Sequence, residues 1–367
     1  MVELNRRRAL MGAAGLGLVA ANPVRAWHDD DKTRPLGAWT QMADMPVPVQ
    51  EIYPTAHRQL TGARGSYKPV IKSVLVNAGG LTDAPGYDFN VTDEVTIYDI
   101  GKDQWRYGPR LPAPMHHVAL VSNNGFLLAI GGFLRDDLGG WRMQEQVLWL
   151  DDLDNGQWYQ NRPLPIPQAE VVAQSLNGRI HVVGGRSPAG SANREWRDHI
   201  DTDKHWGYVA SADEWIAMRP LPSPRNSAAG AVYRGALYVI GGRTVAGGNT
   251  ARVDVYDPVS DRWQRAAPLP QSSREIAPLG QGGLAAAEWN GHIYAFGGEW
   301  FGEDGGGVYA DVWEYDPRED KWRAVAAMPR PRHGLGAVAL KDGIYVLGGA
   351  SQPSGVGTSA VLDRFVI

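Results

Sequence analysis

Short strand-like runs separated by turn residues follow one another from about residue 36 to the end of the chain. In one stretch, residues 228–233 and 236–240 are mainly apolar and flank Arg234-Gly235, and a further run at 252–256 is followed by Asp257-Pro258. Apolar runs of five or six residues bounded by glycine, proline or aspartate are typical of buried strands joined by tight hairpins. The pattern therefore predicts an all-β chain of short antiparallel strands.

Three markers recur in a fixed order and divide the chain into six units. A Gly-Gly pair follows an apolar run, with successive pairs 52, 53, 57, 56 and 51 residues apart, at Gly79, Gly131, Gly184, Gly241, Gly297 and Gly348. A tryptophan is followed seven residues later by proline, at Trp39, Trp105, Trp158, Trp215, Trp263 and Trp322. An aromatic residue precedes the tryptophan by seven positions, at Tyr98, Tyr208, Tyr256 and Tyr315, and Asp151 takes this place once. A period near 50 residues with four strands per unit is typical of β-propeller blades.

The two ends of the repeat array complement each other. Residues 362–365 match residues 253–256, with Phe365 in the tyrosine position, but no tryptophan strand follows them. Trp39 stands at the start of the array without a preceding Gly-Gly pair. We therefore expect a six-bladed propeller in which a strand at 37–42 pairs with the C-terminal blade and closes the ring, so that no strand edge is left open.

These markers resemble the kelch family over essentially all of residues 36–367. The resemblance rests on the Gly-Gly pairs, the tyrosines, the tryptophans and the Leu-Pro or Met-Pro dipeptides at regular spacing. It implies a kelch β-propeller in which the marker residues are structural, because Gly-Gly permits a tight backbone turn and the aromatic rings pack between blades. A fold of this kind does not by itself imply a reaction.

The first 26 residues are typical of an export signal. Arg6-Arg7-Arg8 precedes a mildly apolar run from Ala9 to Ala21, and Val24-Arg25-Ala26 offers small residues for cleavage before Trp27. The segment is too short for a stable membrane span, and its arginines resemble a twin-arginine signal, with an ordinary secretory signal as the alternative. We expect a signal peptide at 1–26, one propeller domain at 27–367 and a periplasmic or extracellular protein.

Composition removes several classes of function. The chain has 45 Gly and 25 Pro, which suits a turn-rich fold, and it has no Cys. The lack of Cys excludes disulfides, thiolate metal sites and the Tyr–Cys copper cofactor of galactose oxidase, and we expect no cofactor. Without residues 1–26 the net charge is −7, which argues against nucleic acid as a partner. No apolar stretch of 18 residues remains, so we expect no transmembrane segment.

The expected strand directions put the candidate site on one face. The loops after Gly-Gly and after the tryptophan strand emerge together and are long, whereas the short Asn-Gly and Asp-Pro turns on the other face leave little room for a site. Two rings of side chains follow from the register. The first comes directly after Gly-Gly, at Leu81, Phe133, Arg186, Arg243, Glu299 and Ala350. The second begins the innermost strands, at Gln50-Glu51, His116-His117, Ala169-Glu170, Asn226-Ser227, Gln281-Gly282 and His333-Gly334, with Arg225 and Arg332 one place earlier.

These rings predict a polar pocket of mixed charge. Arginine suits a carboxylate or another anion, while Glu and His suit proton transfer. We take Glu299, His333 and Arg243 as candidate catalytic residues. Candidate ligand-binding residues are Arg186, Arg225, Arg332, His117, Glu170, Glu51, Asn226, Phe133 and Trp300, the two aromatic ones for stacking on a sugar ring. Adjacent strand residues point opposite ways, so at most one of His116 and His117 is expected to face the opening. Mutual pairing of the Arg and Glu side chains is the structural alternative.

A polar loop at 195–206 offers a weaker candidate. Glu195, Asp198, His199, Asp201, Asp203 and His205 lie within eleven residues, and such groups bind Mn, Fe or Zn in other proteins. The order differs from the Glu-x3-Asp-x3-His motif of iron-binding kelch proteins. We therefore expect a solvated loop and no metal.

Two functions stay open at this point. One is a module that binds a carbohydrate, a glycan or a protein on the long-loop face without any reaction. The other is a periplasmic sugar-handling enzyme, because the chain is similar in size, export and blade number to the bacterial kelch epimerase that mutarotates N-acetylneuraminate. That resemblance implies a catalytic Glu with a nearby Arg. Glu299 matches the Glu, but no Arg follows it in the same loop, so Arg243 or Arg332 would have to serve.

Overall fold

The computed structural model describes residues 37–61, 70–87, 90–272, 277, 279–302 and 305–367. The predicted signal peptide at 1–26 lies outside these residues. The described chain is all-β apart from a 3-10 turn at Trp196–Asp198. Within this part of the chain, no helix is long and apolar enough to cross a membrane.

The described residues contain six four-stranded antiparallel sheets, which we number in chain order. In five of them, the four strands come from one stretch of the chain and are hydrogen-bonded in chain order. Their strands are Thr55–Thr61, Val70–Ala78, Val95–Asp99 and Gln104–Tyr107 in sheet 1; Ala119–Asn123, Phe126–Ile130, Val147–Leu150 and Trp158–Gln160 in sheet 2; Val172–Leu176, Arg179–Val183, His205–Val209 and Glu214–Ala217 in sheet 3; Ala229–Tyr233, Ala236–Ile240, Val253–Asp257 and Arg262–Ala266 in sheet 4; and Ala285–Trp289, His292–Phe296, Val312–Asp316 and Lys321–Ala324 in sheet 5.

Sheet 6 joins the two ends of the described chain. It consists of His333–Leu340, Gly343–Ala350 and Leu362–Val366, with Ala38–Gln41 as the fourth strand. The N-terminal strand pairs antiparallel with Leu362–Val366 in a register that sets Trp39 opposite Phe365. The expected pairing of these two segments is therefore present.

Three smaller sheets each contain a strand that begins directly after a Gly-Gly pair. Met115–His116, Phe133–Arg135 and Trp141–Met143 form one, Arg186–Pro188 and His199–Asp201 the second, and Glu299–Trp300 and Gly307–Val308 the third. These strands carry the long loops of the predicted functional face.

The innermost strands of successive sheets are neighbours around a common axis. Each innermost strand contacts the one in the next sheet, and Thr55–Thr61 of sheet 1 also contacts His333–Leu340 of sheet 6. Apolar side chains from facing sheets fill the spaces between them. One such cluster joins Val76 and Ile97 of sheet 1 to Leu120 and Leu148 of sheet 2.

A repeated hydrogen bond links the outer edges of the sheets. The indole Nε1 of each marker tryptophan donates to the carbonyl oxygen four residues beyond the marker tryptophan of the preceding sheet. The six bonds are 2.8–3.1 Å long and join Trp105 to Ala43, Trp158 to Pro109, Trp215 to Arg162, Trp263 to Arg219, Trp322 to Ala267, and Trp39 to Ala326. We call this set the indole relay. The N-terminal segment takes part in two of these bonds, because Trp39 in the strand donates and Ala43 just after it accepts.

Replacing Trp39 by alanine tests how much the N-terminal strand contributes. The indole packs 4.9 Å from the ring of Phe365 and 6.0 Å from that of Phe296, centroid to centroid, besides its relay bond. Losing an aromatic side chain of this kind costs about 3 kcal/mol, so Trp39→Ala is expected to lower the melting temperature by roughly 5–10 °C. Trp196→Ala is the matched control, since that indole is 56% exposed. Equal shifts in thermal unfolding scans of the two variants would contradict a structural role for the strand.

Candidate functional site

A cavity of about 530 Å³ opens on the long-loop face at the ends of the innermost strands. Its lining combines carboxylates, arginines and histidines with aromatic rings. The polar lining residues include Glu51, His116, His117, Glu170, Arg186, Arg194, His199, Arg243, Asn249 and Glu299, and the aromatic ones are Phe133, Trp141, Trp196 and Phe301. Most of the residues predicted for the pocket are therefore brought together here.

Left-handed backbone positions form a belt at the base of the cavity. Glu51, His117, Glu170 and Ser227 have φ between 50° and 56°, and Gly283 and Gly334 continue the series with φ of 64° and 58°. Backbone N–H groups donate to carbonyl oxygens along the belt, from His117 to Glu51 at 3.0 Å, from Ser227 to Glu170 at 3.2 Å, and from Gly334 to Gly283 at 2.9 Å. Non-glycine residues adopt this conformation at a cost of about 1 kcal/mol or more, which the belt bonds offset.

The belt corrects the prediction for the two adjacent histidines. Strand alternation would send His116 and His117 to opposite sides, but the left-handed φ of His117 breaks the alternation. Both side chains line the cavity, with their Nδ1 atoms 2.5 Å apart. Burial, together with the neighbouring His117, lowers the pKa of His116 well below its usual value, so His116 is uncharged at neutral pH.

We call the charged residues at the base of the cavity, Glu51, Glu170, Arg243 and Glu299, its floor. Arg243 is the central cation of this floor. Its Nη1 forms an ion pair with Oε1 of Glu299, and its Nη2 lies 3.9 Å from Oε2 of Glu170. Burial alone would lower the pKa of Arg243, but the charges of Glu170, Glu299 and Glu51 outweigh it and raise that pKa. Arg243 is thus engaged by the carboxylates of its own chain.

Glu51 belongs to this floor, whereas the predicted catalytic residue His333 is fully buried and lies behind the floor, outside the cavity lining. Oε2 of Glu51 lies 2.8 Å from Nε2 of His117, and Nδ1 of His333 lies 3.5 Å from Oε1 of Glu51 and 3.4 Å from Oε1 of Glu299. Nε2 of His333 lies 2.9 and 3.0 Å from the carbonyl oxygens of Gln352 and Ser354, so it carries the proton and donates. Burial would raise the pKa of Glu51, but the charges of His117, His333 and Arg243 hold it well below its usual range.

Arg186 differs from the other arginines of the site. Its side chain is 1% exposed, and its Nε lies 3.2 Å from Oε1 of Glu170. Nη1 and Nη2 have no hydrogen-bond partner among the described residues. The indole of Trp196 covers the guanidinium, with 3.2 Å between the central carbon and the ring centroid. Burial lowers the pKa of Arg186, although Glu170 opposes the shift.

Aromatic rings form the wall above this floor. Phe133 stacks on His116 at a centroid distance of 5.0 Å, and Trp141 meets the same histidine edge-on at 4.4 Å. Phe301 lies 5.6 Å from the guanidinium of Arg243. Flat apolar surfaces beside hydrogen-bonding groups suit a ring that has both apolar faces and polar substituents.

Comparisons with known proteins agree with the marker pattern. The family profile described as KLHDC2/KLHL20/DRC7 Kelch-repeats domain matches residues 208–349. Kelch-like protein terF of Aspergillus terreus is 26% identical over 293 residues, covering 78% of this chain and 60% of that protein. Kelch-like protein 35 of Mus musculus is 34% identical over 154 residues, covering 42% of this chain and 24% of that protein. The chain therefore contains kelch repeats at residues 208–349 and is similar to kelch-like proteins over most of its length.

A solved structure extends the likeness beyond the matched profile. The structure titled "Structure of YjhT" superposes with a TM-score of 0.68 at 17% identity, covering 87% of this kelch chain and 95% of that one. At this identity the likeness establishes the kelch propeller fold alone. The chain spans 60% or less of the length of the two curated relatives, so their names carry no function over to it.

Two of the predicted ligand-binding arginines of this kelch chain lie outside the cavity lining. Arg225 is 1% exposed, and its Nη1 lies 2.9 Å from Oδ2 of Asp254. Nη2 of Arg332 lies 3.1 Å from Oδ2 of Asp363. In each case the aspartate lies on the third strand of the sheet that begins just after the arginine. These arginines therefore form structural ion pairs, and the prediction that they line the pocket was wrong.

Two further candidates and one register need correction. Trp300 is buried and packs against Tyr309, at a centroid distance of 4.7 Å, whereas the neighbouring Phe301 lines the cavity. Asn226 donates from Nδ2 to Asp201 at 2.6 Å and lies behind Arg243 rather than in the lining. In the fifth unit Gly282 pairs with Glu299, so the strand begins one residue later than Gln281-Gly282 predicted.

The loop at 195–206 is not a metal cluster in this structure. Among the described residues, the only group of His and carboxylate side chains with ligand atoms all within 4.8 Å is Glu51, Glu299 and His333. Arg243 and His117 already pair with its two carboxylates. The expected solvated loop was wrong as well, because His199 and His205 are buried. Trp196 and His199 line the cavity together with the preceding Arg194. Trp196 and Arg194 were not among the predicted site residues, because their positions depend on a long loop whose conformation no local pattern specifies.

The opposite face is less closed than predicted. A second cavity of about 840 Å³ extends along the innermost strands to the short-turn face, where Asn124, Gly125 and Lys341 line it. Its walls are mainly small side chains and strand backbone, such as Ala119, Gly230 and Ala286. It lacks the clustered carboxylates and arginines that distinguish the cavity on the long-loop face.

Proposed function

We propose that the chain is a kelch propeller that binds a small polar ligand with a ring, such as a sugar, in the cavity of the long-loop face. The observation that carries this proposal is the cavity of about 530 Å³ with an ionised floor and aromatic walls. Small-molecule sites in proteins have volumes of about 300–1,000 Å³ and a few polar groups that fix the orientation of the ligand. A concave site of this size favours a small molecule or the end of a glycan over a flat protein surface.

Blocking the cavity tests this proposal. Gly355 lines the cavity, its backbone is not left-handed, and a Cβ added there would meet open space. Gly355→Trp is therefore expected to fold normally and to fill the mouth. Binding of a panel of monosaccharides and sugar acids, measured by calorimetry, is expected to weaken at least about tenfold, because the ligand loses buried contact area.

Gly190→Trp is the matched control, since Gly190 also faces open space but does not line the cavity. Equal affinities of the two variants for every ligand of the panel would place binding elsewhere. No binding by the unmodified protein to any member of the panel would contradict the proposed ligand class.

A mutarotase is the second candidate function. It is favoured by the floor, where the carboxylates of Glu51 and Glu299 flank His333. Exchange of sugar anomers requires only a general acid and a general base. The resemblance to the kelch epimerase acting on N-acetylneuraminate points to the same reaction.

Exchange NMR of N-acetylneuraminate anomers tests this candidate. The protein is expected to accelerate exchange, and Glu299→Gln is expected to reduce the acceleration by at least about 100-fold, because general acid–base catalysis contributes 10²–10⁴-fold. Exchange at the uncatalysed rate with the unmodified protein would eliminate the mutarotase and leave the binding function intact.

We also propose that the protein is exported and that residues 1–26 are removed. The charge and apolar pattern of this segment supports the proposal, as does the change to acidic composition after it. N-terminal sequencing of the exported protein is expected to begin at Trp27. A mature protein that keeps Arg6-Arg7-Arg8 would contradict it.

We infer, in addition, that the propeller has six blades and that the N-terminal strand closes it. The pairing of Ala38–Gln41 with Leu362–Val366 supports this inference, and so does the indole relay through Trp39 and Ala43. The Trp39→Ala measurement described above tests it.

A further inference from the structure

One guanidinium of the site has hydrogen-bonding capacity that its own chain does not use. Arg243 is paired with Glu299. Arg225 and Arg332 are paired with Asp254 and Asp363 and lie outside the cavity lining, so the unpartnered Nε and Nη1 of Arg332 do not face the cavity. Arg186 has its Nε beside Glu170, but its Nη1 and Nη2 find no hydrogen-bond partner among the described residues. Leaving such donors buried and unsatisfied is costly, so a partner that arrives from outside the chain accounts for them.

The charge around Arg186 limits that partner to one negative charge. Nε faces the carboxylate of Glu170, which also lies 3.9 Å from Arg243. A dianion such as phosphate would meet the repulsion of this carboxylate, whereas a carboxylate matches the two parallel donors of a guanidinium fork. The charge of Glu170 therefore favours a monocarboxylate over a phosphate dianion.

His199 adds a second unused polar group next to Arg186. It is 4% exposed, it lines the cavity, and neither ring nitrogen has a hydrogen-bond partner among the described residues. Burial and the adjacent Arg186 lower the pKa of His199, so the ring is neutral at pH 7. A neutral imidazole offers one donor and one acceptor, which suits a hydroxyl beside the carboxylate.

Trp196 covers Arg186 from the solvent side. Its indole lies on the face of the Arg186 guanidinium and is itself 56% exposed. The turn that carries it is fixed next to Arg194, whose Nε lies 2.5 Å from Oδ2 of Asp136 in the neighbouring loop. The indole covers the face of the buried guanidinium and shields it from solvent, while Arg186 also lines the cavity, from which a ligand reaches its Nη1 and Nη2.

We propose that Arg186, covered by Trp196, is the carboxylate-binding residue of the cavity, and that the ligand is a monocarboxylic acid with a ring that packs against the aromatic wall. This inference rests on the ligand-binding function proposed above and narrows it to one chemical class. Arg243 is already paired with Glu299, so Arg186 is the arginine of the cavity that supplies the preference for an acid.

Calorimetry with matched pairs of compounds tests the inference. Each pair consists of an acid and its neutral counterpart: glucuronate and glucose, N-acetylneuraminate and its methyl ester, benzoate and benzamide. At least one acid is expected to bind at least about tenfold more tightly than its counterpart, since hydrogen bonds to charged groups are the strong ones. Arg186→Gln is expected to remove that preference, so that the acid and its neutral counterpart bind this variant with affinities within about twofold of each other.

Arg197→Gln is the matched control, because Arg197 carries the same charge one residue from Trp196 but is 80% exposed and lies outside the cavity lining. It is expected to keep the preference for the acid. A second readout does not depend on the folding of the Arg186 variant. Adding the preferred acid is expected to change the tryptophan emission of the unmodified protein more than that of Trp196→Phe, in which Trp141 is the remaining indole of the cavity lining.

The outcomes separate this inference from the function on which it rests. If neutral compounds bind and Gly355→Trp blocks them, but no acid is preferred, the cavity is a ligand site and the role of Arg186 is wrong. A preference that survives in Arg186→Gln also overturns it. If none of the six compounds binds, the proposed function fails together with the inference.

Discussion

The indole relay is the interaction on which the rest of the structure depends. Each marker tryptophan donates to a carbonyl of the preceding sheet, so every sheet is tied to its neighbour at the outer edge. One such bond stabilises the fold by only about 1 kcal/mol, but six of them fix the angle between successive sheets. The cavity is built where the innermost strands converge, and its shape follows from that angle.

The belt of left-handed residues turns this geometry into a polar site. Ordinary strand backbone would send Glu51, His117 and Glu170 alternately into the sheets, where charged groups are costly. The positive φ of these residues places all three in the cavity lining. Arg186 and Arg243 form ion pairs with carboxylates there. The pKa of Glu170, which burial would raise, is lowered by Arg186, His117 and Arg243, so the floor stays charged at neutral pH.

The sequence predicted the strands and the inner ring well because both follow from a repeated pattern. Arg186 and Arg243 pair with Ala169 and Asn226 as the register required, and the fifth unit is shifted by one residue, with Gly282 opposite Glu299. Side-chain direction was harder to predict. Arg225 was placed in the pocket because its partner Asp254 lies 29 positions away on another strand, and no local pattern connects the two. The position of Trp196 over Arg186 could not be predicted either, because it depends on a loop that is not part of the repeated pattern.

A structure of the protein with its preferred acid, determined by crystallography, tests the central claim most directly. The account predicts that the carboxylate lies within hydrogen-bond distance of Nη1 and Nη2 of Arg186, under the indole of Trp196, with the ring of the ligand beside Phe133. A ligand bound in the cavity of the short-turn face, or a ligand in the long-loop cavity whose carboxylate avoids Arg186, would contradict it.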